Sequence, residues 1–285
     1  MNGAGKLVIC PTPLGNLGDM TLRGIEMLQS ADVVCSEDTR VTSKLLAAYD
    51  IQKRLERLDE AMISRGVDSI LDRIRQGQTV VFCSDAGMPG VSDPGSRLIN
   101  AVQSAGLPVT VLPGPSAGVT AYVASGFTNQ NFYFGGFFPR KANDQEKLLL
   151  NLKNLDAALV FYESPTRLVA ALRTIAKCFP DREVAVCREL TKMHEEVVRA
   201  IAPQVLGEFE SRIGEKSLRG EIVVVINGPS AAEKSFDAGQ AFEKASEKAL
   251  QLKTEGVLSK KDMVAYLQEE FGIARNAAYE IVHGS

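Results

Sequence analysis

The sequence predicts an α/β protein built of two α/β domains, followed by a small C-terminal helical extension. Three observations carry this. Short apolar runs alternate with helix-like segments through the first 120 residues, the order that builds a largely parallel sheet. A second set of strand-like runs begins near residue 120. Three apolar runs end in turn-rich loops: PTPLGNLGDMT (11–21), SDAGMPGVSDPG (84–95) and LPGPSAGVT (112–120). In an open α/β sheet, the loops at the carboxyl ends of the strands form the ligand crevice, so these three mark a small-molecule site.

KLVICP (6–11) reads as the first strand. Residues 21–30 read as a helix, with Thr21 as its N-cap and Leu22, Ile25, Met27 and Leu28 as its apolar face. ADVVCSED (31–38) reads as a strand and 42–49 as a helix. In 67–76, Val67, Ile70, Leu71 and Ile74 share one helical face. TVVFC (79–83) is a buried strand, 96–105 a helix and VTVLP (109–113) another strand.

In the second set, ALVFYES (158–164) is a strand with a helix after it at 166–177. EVAVCREL (183–190), EEVVRA (195–200) and GEIVVVING (220–228) are further strands, spaced closely enough for antiparallel pairing and a mixed sheet. PSAAEKSFDAG (229–239) reads as a linker, without periodicity. A helix follows at 241–252. Residues 259–282 read as two short helices around a turn at Gly272, with Ser259 as a cap. Val264, Leu267, Phe271, Ile273, Ala277 and Ile281 form their shared core, and Lys260, Lys261 and Arg275 stay outside. This unit resembles a helix-turn-helix; a helical hairpin packed on the main body or on a second subunit fits the pattern equally well. The expected domains are residues 1–117, 118–229 and 240–285.

Net charge is −3, which excludes a nonspecific polycation, so a nucleic-acid partner must be met by a local basic patch. Cys10, Cys35, Cys83, Cys178 and Cys187 form no C-x-x-C pair and read as reduced thiols, mostly buried, in a cytoplasmic protein. His194 and His283 lie far apart, so no zinc-type cluster is expected and no metal is called for. No apolar stretch approaches the ~18 residues of a membrane span, and residues 1–10 lack the features of a signal peptide.

GNLGD (15–19) has neither the dinucleotide-binding spacing nor a Walker lysine. GPSAG (114–118) matches G-x-S-x-G and lies between a strand and a helix, so a serine hydrolase with Ser116 as nucleophile is a rival reading. Against it stand the placement of His194, the lack of an HGGG-type string and the two sheets. SEDTR (36–40) puts two carboxylates and an arginine at a strand end. It is either a solvated helix start capped by Asp38 or Thr39, or a charged group facing the crevice. RELTK (188–192) and HEE (194–196) are similar in kind.

Together, PTPLGNLGDMT, ADVVCSEDTR, SDAGMPGVSDPG, LPGPSA, FYESPTRL, RELTKMHEE and RGEIVVVI resemble the tetrapyrrole-methylase-type (class III) methyltransferases, and within them the branch that modifies ribosomal RNA. The resemblance runs from about residue 7 to 228. It implies S-adenosyl-L-methionine bound between two α/β domains, and 2′-O-methylation of a cytidine ribose in the decoding region of 16S rRNA within the small ribosomal subunit. It also implies a homodimer. By position it gives the cofactor Pro13, Ser84, Asp85, Ala86, Gly87, Ser116 and Ala117 from the first half. From the second half it gives Phe161, Tyr162, Glu163, Leu190 and Gly220. Ser116 thereby becomes a cofactor contact.

SEDTR falls on the substrate side of the crevice in that fold. Glu37 or Asp38 is then expected to accept or orient the ribose hydroxyl proton, and Arg40 to hold a phosphate or the carboxylates. Arg140 and Lys141, with Lys260, Lys261 and Arg275, are the expected RNA contacts. The chain departs from the family at RLDEAMIS (57–64), where a His-rich segment is common, and at Thr166, where a histidine is common. Methylation of a tetrapyrrole or other small molecule is the alternative within the fold; a noncatalytic RNA-binding module is the alternative outside it.

Overall fold

The computed structural model describes residues 5–212, 218–256 and 258–284. The chain divides into two compact units: 1–150 with 157–227, and 151–156 with 228–285.

The larger unit holds two five-stranded sheets. The first half runs β1 (Lys6–Ile9), α1 (Leu22–Ser30), β2 (Val33–Ser36), α2 (Thr39–Ala48), β3 (Leu55–Arg57), α3 (Glu60–Arg65), α4 (Asp68–Arg75), β4 (Thr79–Cys83), α5 (Ser96–Ser104) and β5 (Val109–Val111). Its strands lie in the order β3-β2-β4-β1-β5, and all four pairings are parallel. Side chains alternate across this sheet. Leu7, Ile9, Val80 and Phe82 face a core with residues of α3, α4 and α5. Val8, Val34, Val81 and Cys83 face the opposite core, with residues of α1 and α2. Both faces are buried, which is why these strands read as unbroken apolar runs.

The second half runs α6 (Ala117–Ala124), β6 (Phe132–Phe137), α7 (Ala142–Leu152), β7 (Ala158–Glu163), α8 (Leu168–Cys178), β8 (Glu183–Arg188), β9 (Glu196–Ile201), α9 (Ala202–Arg212) and β10 (Ile222–Ile226). Its strand order is β6-β7-β10-β8-β9. β10 is antiparallel to β7 and β8, β8 is antiparallel to β9, and β6 is parallel to β7. This is the mixed sheet that the strand spacing foretold.

β3 and β6 are absent from the sequence reading. Both are edge strands, only partly buried, and β6 carries Gly135 and Gly136 at a register shift. Leu55 is the single apolar residue of β3, and the two glycines break the apolar run of β6; the other two edges, β5 and β9, keep the β-branched residues that reveal a strand. α2 begins three residues earlier than expected, because Asp38 is its cap and accepts from the Arg40 N–H at 2.9 Å.

In the smaller unit, α10 (Ala231–Glu255), α11 (Lys260–Phe271) and α12 (Arg275–His283) share a core of Ala245, Ala249, Leu252, Met263, Val264, Leu267, Ala278 and Val282. The linker expected at 229–239 is instead the start of α10. Ser230 and Glu233 form a reciprocal capping box there, with bonds of 3.0 and 2.9 Å. In α12 the fully buried residues are Ala278 and Val282; the expected Ile281 packs against the same core, partly buried, while Ala278 takes the place expected for Ala277. Ser259 caps α11, and Gly272 closes it in the left-handed conformation that glycine adopts without strain.

Candidate functional site

The site is built where the first and second turn-rich loops meet. Thr12 and Gly87 exchange backbone hydrogen bonds of 3.0 and 2.9 Å. The Thr12 hydroxyl adds a bond to the Ser84 carbonyl at 3.1 Å, and the Ser84 hydroxyl turns back on the Ala86 and Gly87 carbonyls. Gly87 has φ +76°, and a Cβ there would stand 3.2 Å from Leu14, so the close approach of the loops also requires glycine.

Beside this clamp lies a cavity of about 390 Å³, within the ~300–1,000 Å³ range of small-ligand sites. Asp85, Ala86, Gly87, Ser116, Ala117, Tyr162, Glu163, Leu190 and Gly220 line it, nine of the twelve residues expected to meet a cofactor. Pro13 and Ser84 line a second cavity instead, of about 290 Å³. Phe161 lines neither. It is 1% exposed and packs against Phe138 and Tyr133, so its ring belongs to the core.

The strand alternation explains the split at the end of β7, where neighbouring side chains take opposite faces. Tyr162 packs on the cavity side against Phe134 and Phe137, with centroids 5.0 and 5.6 Å away. Glu163 is ion-paired: its Oε1 accepts from Arg167 Nε at 2.7 Å and from the Ser164 N–H at 2.6 Å. That pair fixes the turn whose Ser164 and Pro165 also line the cavity.

On the opposite wall, Gly220 has φ +101°, and a Cβ would stand 2.5 Å from the Glu189 side chain. Glu189 accepts from the Glu221 N–H at 2.9 Å and from Lys192 Nζ at 2.9 Å. The sequence reading missed Leu14, Met88, Val91, Asp93, Phe137, Cys187 and Glu221. Asp93 had a signal, as the second acid in the 84–95 loop. Burial pushes its carboxyl up to about 6, with Glu37 and Asp85 adding to the rise and the Ser84 hydroxyl opposing it. Burial, reinforced by Glu195, pushes the Cys187 thiol up to about 12, so this cavity-lining sulfur stays protonated.

The SEDTR carboxylates separate in character. The hydrogen bond from Arg40 holds Asp38 down at about 2, and Arg40 Nε spans both carboxylate oxygens at 3.0 and 3.1 Å. Glu37 makes no hydrogen bond or ion pair among the described residues. Burial first, then Asp85, Asp59 and Asp38, raises its pKa. Asp85 Oδ1 accepts from the Asp38 N–H at 3.2 Å, and burial raises its carboxyl too. Ser116 heads α6 without capping it, and no histidine lines the cavity, so the elbow has no base beside it. Arg140, Lys141, Lys260, Lys261 and Arg275 are all exposed. Among the described residues, no helix is long and apolar enough to cross a membrane.

Two sheets in one compact unit, with a cavity bounded by loops of both, define an α/β protein with a small-molecule site at its strand ends. Comparisons narrow the class. Residues 6–205 match the family model described as tetrapyrrole (corrin/porphyrin) methylases. A protein of Thermotoga maritima named ribosomal RNA small subunit methyltransferase I is 42% identical over 224 residues, 79% of this chain and 99% of the relative. One of the same name from Micromonospora olivasterospora is 38% identical over 98% of this chain and 87% of its own. A solved diphthine synthase shares the fold, with a TM-score of 0.60 at 14% identity, covering 78% of this chain and 90% of that one. The chain belongs to the tetrapyrrole methylase family, whose methyltransferases use S-adenosyl-L-methionine.

Proposed function

We propose that this protein methylates the 2′-oxygen of a cytidine ribose in the decoding region of small-subunit ribosomal RNA. The observation that carries the reading is the 390 Å³ cavity, lined by nine of the residues expected to meet S-adenosyl-L-methionine, in a chain about 40% identical to proteins named for that RNA. When bound, the donor supplies a methyl carbon on a sulfonium: the C–S bond breaks, the C–O bond forms, and sulfur keeps the electron pair.

The residues fit a cationic donor. Asp85, Asp93 and Glu221 all line the cavity and give it a negative field. Ala86, Gly87, Ser116, Ala117, Tyr162, Leu190 and Gly220 shape it, and Glu163 holds the 164–167 turn. Aligning donor and acceptor supplies much of the acceleration. The ribose proton is taken by Glu37 or its neighbour Asp85. Asp38, bound to Arg40 and held at about 2, is a poor base; it caps α2 and fixes Asp85.

Arg140, Lys141, Lys260, Lys261 and Arg275 hold RNA phosphates, and the working form is a homodimer acting in the cytoplasm on an assembled subunit. The domain division that fits this reading is residues 1–117 and 118–229 flanking the donor, with 240–285 as an RNA-binding extension.

The test is primer-extension mapping of ribose methylation on small subunits from a strain lacking this gene, before and after adding protein and S-adenosyl-L-methionine. A new stop in the decoding region is expected. Its absence defeats the reading.

A further inference from the structure

The 290 Å³ cavity lies between the first loop and α2 and has no role in donor binding as described above. We propose that it receives the base and sugar of the acceptor nucleotide, turned out of the RNA; this rests on the proposed function. A ribose within a stacked, paired strand is not free to enter an enclosed site, and enzymes that act on single nucleotides commonly extrude them into a fitted pocket.

Three features select this cavity. First, Asp85 lines both cavities, and among the described residues no other does. The acceptor hydroxyl and the methyl donor therefore meet at Asp85, whose carboxylate the Asp38 N–H holds in place. Second, Pro13, Leu17, Val41 and Leu45 give the cavity apolar walls. Leu17 and Val41 are 50% and 41% exposed, so a base laid against them removes apolar surface from water. Third, Lys44 lines the cavity and makes no ion pair among the described residues. It stands one helical turn after Arg40 on the same face of α2, placing two cations where flanking phosphates of an extruded nucleotide emerge. The size is also selective. About 290 Å³ is at the small end of ligand sites, which suits a single nucleoside and not a tetrapyrrole macrocycle.

The test fills the cavity from its exposed side with Ala48→Leu and, separately, Val41→Trp. S-adenosyl-L-methionine affinity is measured by calorimetry, and methyl transfer is measured on small subunits lacking the modification. Donor affinity within twofold of wild type is expected, with kcat/KM for the subunit reduced at least tenfold. Either variant that binds donor normally and methylates subunits at the wild-type rate overturns the pocket. Loss of donor binding in both folded variants overturns it too, by assigning the cavity to the donor. Wild-type protein inert on the subunits defeats the underlying function instead. Lys44→Ala adds an independent arm: the salt dependence of subunit binding should fall by about one in log–log slope, and an unchanged slope removes the lysine from the phosphate path.

Discussion

At the residue scale, the acids around the cavity differ by what faces them. Asp93 is half-buried and titrates near 6 rather than at its ordinary 3.8. The folded protein therefore holds this proton more tightly than the unfolded chain does. Ionisation of Asp93 then costs stability progressively as pH rises from about 4 to about 6, and the cost is constant above that. Asp93→Asn should raise the melting temperature relative to wild type at pH 7.5, with the gain shrinking by pH 4; calorimetric scans at the two pH values read this directly. For turnover, Glu37→Gln or Asp85→Asn is expected to lower kcat on the order of 10²–10⁴-fold, whichever carries the proton. Asp38→Asn should lower it far less, because asparagine caps a helix as well as aspartate does. Single-turnover methylation with saturating donor separates the three. SEDTR announced charge at a strand end, but not its division of labour, which depends on Asp85 approaching from another loop, 47 positions along the chain.

At the element scale, the strands buried on both faces were legible from sequence because burial writes itself as a run of Val, Ile and Phe. Two of the four edge strands were not, because LER at 55–57 has a single apolar residue and FYFGGF at 132–137 is broken by two glycines; the other two edges, β5 and β9, kept enough valine and isoleucine to be read. The linker at 229–239 was misread although its signal was present: S-x-x-E is the capping-box pattern, and alanines follow it. Ser230→Ala should destabilise α10 by about 1 kcal/mol, seen as a lower urea midpoint for the helical unit followed by a probe placed there. Gly220 is the glycine on which a cavity wall depends. Gly220→Ala forces a side chain into φ +101° and against Glu189, a strain of about 1–3 kcal/mol. A weaker calorimetric affinity for S-adenosyl-L-methionine is the expected result.

At the scale of the whole molecule, the larger cavity was largely visible beforehand, since strand-end loops and a family resemblance named nine of the residues that line it. The second cavity was not, because the turn-rich 11–21 loop announced a ligand crevice but not that α2 would close over it, and only their approach makes a separate space. The proposed RNA contacts belong to this scale as well. Changing Lys260, Lys261 and Arg275 together to alanine should leave donor affinity intact and weaken subunit binding, with the log–log salt slope falling by about one per lost phosphate contact; filter binding across a salt series checks it. The strand order carries a last consequence, for how the chain comes into being. β1 is the first strand synthesised, yet its two neighbours are β4 and β5, which begin at Thr79 and Val109. On the ribosome, this apolar strand waits unpaired for more than seventy residues while β2 and β3 can already meet. The late arrival of β4 inserts the piece that joins them, so the first sheet closes from its middle, and a pause in translation before residue 79 would leave its most aggregation-prone edge open.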